Sequence, residues 1–271
     1  MGNALFIVWR ETIEAMLVIG ILHGWLSARP EARSGFPWLW GGIAAGLGLA
    51  VLLAVTIMDI QSWASASALE WFQAFMPLAA CGLIFQMVWW MRRHGAGLKN
   101  ELEAGMASAA GRANWLGIAV LAAVAVGREG AETVVFLYGA VKGSAHADIA
   151  VGGAAGFVLA LAAYGLLSRG SRFVSWRAFF RITEVLLLLL GGALLVDGAE
   201  KLVGLEALPP LADPLWNTAF LLDDSTRIGG LAAAFTGYRA APSGIAYALL
   251  AAYWALAFGV LLKLKPKRRN A

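Results

Sequence analysis

Two copies of one pattern, Arg-Glu-x-x-Glu, lie inside long apolar segments of this chain. The first motif is Arg10-Glu11-Thr12-Ile13-Glu14, and the second motif is Arg128-Glu129-Gly130-Ala131-Glu132. A charged side chain at the centre of a membrane helix costs roughly 2.5–3.5 kcal/mol on insertion scales, so six unpaired ones would cost on the order of 15–20 kcal/mol. The six residues must therefore be compensated by one another or by a bound ion.

The apolar segments themselves predict an all-α integral membrane protein. Hydrophobic types make up 60% of the 271 residues and charged types only 14%, with a mean hydropathy of +0.72, whereas a soluble domain usually has about 25% charged residues. About 20 helical residues cross a hydrocarbon core. Seven runs are long enough, and we expect transmembrane helices at residues 4–26, 37–58, 71–91, 115–138, 149–168, 182–200 and 243–264.

The lysine and arginine residues between these runs predict the orientation of the chain. Outside the motifs, fifteen basic residues follow the odd-numbered runs and four follow the even-numbered runs. An excess of basic residues marks the cytoplasmic side of a membrane protein, so we expect the N-terminus outside and the C-terminus in the cytoplasm. The formal net charge of +4 is then an orientation signal, which we favour over nucleic-acid binding.

The two halves of the chain resemble each other, which predicts an internal repeat. The motifs begin 118 residues apart, and a glycine-rich segment follows each of them, at residues 41–46 and 152–156. Three helices in each half would invert the second half relative to the first, as in many transporters; chance is the alternative, because glycine is frequent in membrane helices. We divide the single transmembrane domain, residues 1–271, into a first repeat at 1–92, a second repeat at 113–202, an outer loop at 203–242, a seventh helix at 243–264 and a basic cytoplasmic tail at 265–271.

The spacing within each motif places its three charged side chains on one helix face, since residues three or four apart are neighbours on an α-helix. If the motifs face each other, four carboxylates and two guanidinium groups meet near the middle of the membrane. Carboxylate oxygens bind hard cations, and a single cysteine, Cys81, excludes a thiolate cluster supplied by this chain. The candidate metal ligands are Glu11, Glu14, Glu129 and Glu132, and the candidate charge-balancing residues are Arg10 and Arg128.

A purely structural ion pair on each helix is the alternative to a metal site. Such a pair would leave a second glutamate on each helix without a cation, and two close carboxylates either share protons or bind a metal. We therefore favour a functional role for the six residues.

Seven further acidic residues are candidates for an ion pathway: Asp59, Glu70, Glu184, Asp197, Glu200, Asp223 and Asp224. The first five lie near the ends of predicted helices, where ordinary solvation is the alternative. Asp223 and Asp224 lie in the outer loop, which Pro209-Pro210 and Gly229-Gly230 predict to be ordered, with turns. On the inner side, residues 98–110 predict a surface helix suited to the membrane interface.

The two motifs, on the first and fourth helices of a seven-helix chain, resemble those of the high-affinity iron permease family, the oxidase-dependent iron transporters of yeast and bacteria. Trp89-Trp90-Met91, at the end of the third run, and residues 237–243, before the seventh, are also similar to family patterns. There are two departures. Thr12 stands where glycine is frequent in the family, and Asp223-Asp224-Ser225-Thr226 differs from the acidic loop motif of the yeast members.

The resemblance implies a high-affinity iron importer. It implies that the four motif glutamates handle iron beside the two arginines, and that iron is the transported substrate, with no organic cofactor. It also implies a bacterial inner-membrane protein, in which the N-terminus that the basic residues place outside would be periplasmic. The implied partners are periplasmic iron-binding and redox components of oxidase or peroxidase type. Carboxylate oxygens suit both ferrous and ferric iron.

Two other functions stay open on the residues alone. An intramembrane metal-dependent lipid phosphatase can also use glutamates and arginines, although it would require a nucleophile or positioned water, and no serine or histidine is close to either motif in sequence. A passive cation channel would show flux that does not saturate with iron concentration. For an iron importer we expect alternating access about the interface of the two repeats.

Overall fold

The computed structural model describes residues 2–94, 97–111, 114–140, 146–168 and 176–263. Within these ranges the regular structure is entirely helical. The helices are α1 (Gly2–Ser27), a 3-10 helix (Pro30–Gly35), α2 (Phe36–Trp63), α3 (Ala66–His94), α4 (Leu98–Gly111), α5 (Trp115–Ala140), α6 (His146–Ser168), α7 (Trp176–Gly204), α8 (Arg227–Thr236) and α9 (Gly244–Lys263). The predicted basic tail at 265–271 lies outside the described residues.

Every predicted apolar run coincides with one of the long helices, which confirms these runs as helical. The ends agree within about six residues, the largest difference being α7, which begins at Trp176 instead of residue 182. By length and composition, four described segments can cross a membrane: Pro30–Trp63, Ala66–Arg93, Ala147–Leu166 and Arg181–Gly204. α1 and α5, with 26 residues each, are also long enough to cross a membrane, but each contains the three charged residues of a motif.

Each motif-bearing helix packs closely against a glycine-rich helix. A Cβ added to Gly46 on α2 would lie 2.8 Å from the carbonyl oxygen of Ala123 and from the amide nitrogen of Gly127, both on α5. A Cβ added to Gly156 on α6 would collide with the carbonyl oxygen of Leu5 on α1. Small residues permit this approach of two backbones. α1 therefore lies against α6 and α5, while α2 lies against α5.

The third long helices of the two halves, α3 and α7, pack against each other. α3 contacts α7 along much of its length, and α9 also packs on α7. The largest buried apolar cluster joins these helices to α1 and α5, and it includes Ile7, Ile84, Phe136 and Leu190. Through this cluster α3 reaches the motif-bearing helices.

The connection between α3 and α5 contains the predicted helix, α4, but the apolar face of this helix is covered by protein. Leu102 and Met106 of α4 are buried against Leu22 of α1 and Ile118 of α5. The sequence pattern predicts that this face lies at the membrane interface, and the structure covers it instead because α4 packs against both α1 and α5.

The connection between α7 and α9, the predicted outer loop, is ordered and has turns, but Gly229-Gly230, which predicted a turn, lie within helix α8 instead. Thr226 caps α8, with its side-chain oxygen accepting a hydrogen bond from the Gly229 amide at 3.1 Å. Gly237 ends α8 in the left-handed conformation, with φ of 72°, which glycine adopts without steric cost. The amide of Thr218 donates to the carbonyl of Ala240 at 2.8 Å, so the loop folds back toward the start of α9.

Candidate metal centre

The first motif forms a buried ion cluster on α1. The side chain of Arg10 is 1% exposed, and its Nη1 atom lies 2.6 Å from Oε1 of Glu11. Its Nη2 atom also forms an ion pair with Glu14. One guanidinium group therefore engages both glutamates of its own helix, as the fork of five donors allows.

The second motif is arranged differently on α5. The Nε atom of Arg128 donates to Oε1 of Glu132 at 2.8 Å, and the Arg128 side chain is 36% exposed. Glu129 is 8% exposed, and its Oε2 atom accepts no hydrogen bond from the described residues. The expectation that each helix leaves one glutamate without a cation therefore describes α5 but not α1, because Arg10 reaches both of its glutamates.

Carboxylates from the two motifs come together where α1 crosses α5. Glu11, Glu14 and Glu129 each place one oxygen within 4.8 Å of the others. Glu132 is not part of this group of three, and its Oε1 atom is paired with Arg128. Three convergent carboxylate oxygens suit a divalent cation.

Several oxygen atoms of this cluster lack a donor. Oε2 of Glu11, Oε2 of Glu129 and Oε2 of Glu132 are buried and accept no hydrogen bond from the part of the chain that the structure describes. Buried polar atoms are nearly always satisfied, and a buried charge left unpaired is strongly destabilising. A cation or a proton between these carboxylates would satisfy them.

Helix α3 supplies two neighbours of the motif arginines that the sequence analysis did not assign to the site. The Arg128 guanidinium carbon lies 4.7 Å from the centre of the Trp90 ring. The Nη2 atom of Arg10 lies 3.5 Å from the sulfur of Met91. The only sequence signal for them was Trp89-Trp90-Met91 as a family-like pattern, because nothing in the local sequence shows which distant helix they meet.

The backbone around the second motif is also tightly packed. A Cβ added to Gly130 would lie 2.5 Å from the Cβ of Ala50 on α2. Thr12, at the corresponding place in the first motif, is half-buried and carries a larger side chain. The two motifs therefore have different packing on this face.

Three of the predicted pathway residues, Glu70, Asp197 and Glu200, line one cavity of about 610 Å³, together with Lys201 and Arg239. We call it the outer cavity, after the predicted outer loop beside it. Two of its three acidic residues already bind other groups of the protein. Asp197 forms ion pairs with Lys201 at 2.5 Å and with Arg239 at 3.2 Å. One oxygen of Glu200 accepts the amide of Ser243 at 2.8 Å. The cavity is therefore a mixed-charge site and not a purely acidic funnel.

Of the two candidate pathway acids in the loop at 203–242, Asp224 contacts a residue that lines this cavity. Asp224 is 3.7 Å from Arg239 in an ion pair, so the loop is connected to α7 through one arginine. Asp223 accepts the Ser225 amide at 2.8 Å, and hydrogen bonds from Ser225 lower the pKa of Asp223. Asp223 therefore stabilises a turn of the loop in its charged form.

The two remaining pathway candidates lie elsewhere. Asp59 is exposed near the end of α2 and does not line the outer cavity. Glu184 forms an ion pair with Arg92 of α3, and it is 13 residues, or about 20 Å, along α7 from Asp197. The seven acids therefore do not form one continuous line in this conformation.

Comparison with known proteins gives a family and several relatives. The iron permease FTR1 family matches residues 1–265. An Archaeoglobus fulgidus protein described as uncharacterized is 29% identical over 96% of this chain and 94% of its own length. The ferrous iron permease EfeU of Escherichia coli O6:H1 is 26% identical over 88% of this chain and 86% of its own. EfeU of Yersinia pestis is 23% identical, over 88% and 84%. No solved structure matches this chain.

Proposed function

The chain belongs to the iron permease FTR1 family, and on that basis we propose that it imports iron by binding the ion transiently between the glutamates of its two motifs. It is a multi-pass membrane protein of iron transport, a permease and not an enzyme, so the lipid-phosphatase alternative is set aside. The observation that carries the proposal is the group of three glutamate oxygens, from both motifs, within 4.8 Å of one another.

Charge balance favours ferrous iron as the substrate. Four carboxylates and two guanidinium groups carry a formal charge of −2, which one divalent cation neutralises. A trivalent cation would leave a positive charge in a buried site, where uncompensated charge is strongly disfavoured. The EfeU relatives are named as ferrous iron permeases, which agrees with this assignment.

The arginines make the binding transient. Arg10 already engages Glu11 and Glu14, and Arg128 engages Glu132. An entering cation therefore competes with two guanidinium groups for the same carboxylates. When the ion leaves, the arginines re-form these ion pairs, so three of the four carboxylates are again paired in the empty site, and Glu129 alone stays without a cation.

We further propose seven transmembrane helices, arranged as inverted repeats at residues 1–92 and 113–202 and followed by the outer loop at 203–242, a seventh helix and a basic tail. The packing of the glycine helices supports this division. Gly46 lies against residues 123 and 127, whereas Gly156 lies against residues 5 and 9. These contacted positions are 118 residues apart, as the motifs are. Each glycine-rich helix thus packs on the motif-bearing helix of the other repeat, as expected if a twofold axis relates the two repeats. Alternating access would occur about this interface.

The outer cavity is the proposed entrance. The distribution of basic residues supports a periplasmic N-terminus in a bacterial inner membrane. The cavity then faces the periplasm, where an iron-binding and redox partner would deliver the ion to Glu70, Asp197 and Glu200. Ferrous iron would pass from this cavity to the motif glutamates and leave on the side of Arg92 and Glu184.

Reconstituted protein tests the proposal. Proteoliposomes would be supplied with ferrous iron and a reductant, and initial uptake would be compared for wild type, Glu14→Ala and Glu132→Ala. We expect more than a roughly tenfold loss, because each variant removes a charged ligand interaction worth about 1.5–3 kcal/mol. Glu31→Ala, an exposed acid outside the site, is the matched control. Unchanged uptake in both motif variants would refute the proposal, and flux that never saturates with iron concentration would favour a channel.

A further inference from the structure

Helix α3 contributes no charge to the glutamate cluster, yet two consecutive residues of it contact the two motif arginines. The Trp90 ring centre is 4.7 Å from the guanidinium carbon of Arg128. The Met91 sulfur is 3.5 Å from Nη2 of Arg10. Resting on the function proposed above, we infer that Trp90 is a positioning residue of the permease, which holds the Arg128 guanidinium against its ring so that iron can reach the carboxylates.

Arg128 requires such a support more than Arg10 does. Arg10 is almost fully buried and forms ion pairs with two glutamates, so its position is determined from several sides. Arg128 is 36% exposed and donates through Nε to Glu132. A long arginine side chain at a half-exposed place keeps much of its rotamer freedom. The indole face restricts that freedom, because a guanidinium group stacks well on an aromatic ring.

Trp90 is also placed to hold Arg128 while iron replaces this arginine at the Glu132 carboxylate. When iron takes the Glu132 oxygen, Arg128 loses its bonded carboxylate. The indole is an uncharged partner that does not compete with the ion, so it can keep the guanidinium near the site but away from the ligands. Without the ring, Arg128 is free to turn its fork toward Glu129 and Glu132 together. Such a bidentate arrangement opposes iron binding.

The expected effect is therefore on iron affinity more than on the maximal rate. In proteoliposome uptake over a range of ferrous iron concentrations, Trp90→Leu should raise the apparent KM about fivefold to tenfold, as loss of a partly desolvated cation–π contact implies. The maximal rate should change less than twofold. Trp90→Phe and Trp90→Tyr retain an aromatic face and should restore most of the wild-type KM.

Trp89 provides the matched control. Its ring lies next to Trp90 in sequence but stacks on Arg93, 5.5 Å from the guanidinium carbon, and Arg93 is exposed at the end of α3. Trp89→Leu removes a ring of the same size and should leave the KM for iron unchanged. If Trp90→Leu does not reconstitute as folded protein, Trp90→Met, which has a long unbranched side chain, can be compared with Trp89→Leu in its place.

A double-mutant comparison separates positioning from packing. In an Arg128→Gln background, Trp90→Leu should cause no further rise in KM, because the guanidinium that the ring holds is gone. A wild-type KM in Trp90→Leu, or an equal rise in the Arg128→Gln background, would overturn the inference. Failure of the proposed function would look different: wild-type protein would take up no iron, or Glu14→Ala and Glu132→Ala would transport normally.

Discussion

The Nη1 atom of Arg10 lies 2.6 Å from Oε1 of Glu11, with both side chains almost fully buried in α1. The same guanidinium engages Glu14. Arg10 is therefore the main residue that neutralises the two buried glutamates of the first motif.

Replacing Arg10 should destabilise the protein as well as stop transport. Arg10→Gln leaves two buried carboxylates without their cation, and we expect a loss of about 3–5 kcal/mol in the free energy of unfolding. Thermal unfolding of the detergent-solubilised protein would measure the effect. Arg33→Gln, at an exposed arginine of the 3-10 helix, should stay within about 0.5 kcal/mol of wild type. Equal melting temperatures for the two variants would contradict this role of Arg10.

The two glutamates of the second motif should respond in opposite directions. Glu129→Gln removes a buried charge whose Oε2 atom lacks a donor, and the amide can donate to neighbouring carboxylates, so stability without iron should rise by about 1 kcal/mol. Glu132→Gln weakens an ion pair with a half-exposed arginine and should lower stability by about 1 kcal/mol. Both variants should lose iron uptake. A fall in melting temperature for Glu129→Gln would mean that its carboxylate is satisfied in the protein.

Addition of a single methyl group should distinguish the packed glycines from the open ones. Gly46→Ala places a Cβ 2.8 Å from backbone atoms of α5, whereas Gly48, one half-turn along α2, has open space around it. We expect Gly46→Ala to lower stability by about 1–3 kcal/mol and to reduce uptake, because overpacking separates α2 from α5. Gly48→Ala should be neutral. Gly156→Ala should behave like Gly46→Ala if the two repeats pack reciprocally, and a neutral result there would argue against the repeat.

The mixed charge of the outer cavity should control iron entry in a salt-dependent way. Arg239 bridges Asp197 and Asp224, so Arg239→Gln makes the cavity more negative and should raise uptake at low iron concentration. Glu70→Gln should have the opposite effect. Both effects should fade at high ionic strength, where the Debye length falls from about 10 Å at 0.1 M salt to about 3 Å at 1 M. Changes that persist in high salt would indicate a structural effect instead.

Much of the secondary structure followed from local sequence. The apolar runs had to match the thickness of a bilayer, so their lengths indicated the seven long helices that the structure confirms, whereas the short helix α8 was not predicted. The spacing of Arg10, Glu11 and Glu14 placed them on one face because the period of the helix is fixed. Pro209-Pro210 likewise indicated irregular backbone, which the loop has there, but Gly229-Gly230, which also predicted a turn, lie within α8, where Thr226 caps the helix just before them.

The tertiary structure alone decided which distant groups meet. Local spacing did not show that Arg10 would engage both glutamates of α1 while Glu129 kept an oxygen without a donor, nor that Trp90 and Met91 of α3 would contact the arginines. It also did not separate Glu70 and Asp197, which share a cavity, from Asp59, which is exposed elsewhere. These contacts depend on how closely and at what angle the helices cross. Backbone approaches such as that of Gly46 to α5 set this crossing, and they form only when distant parts of the chain pack together.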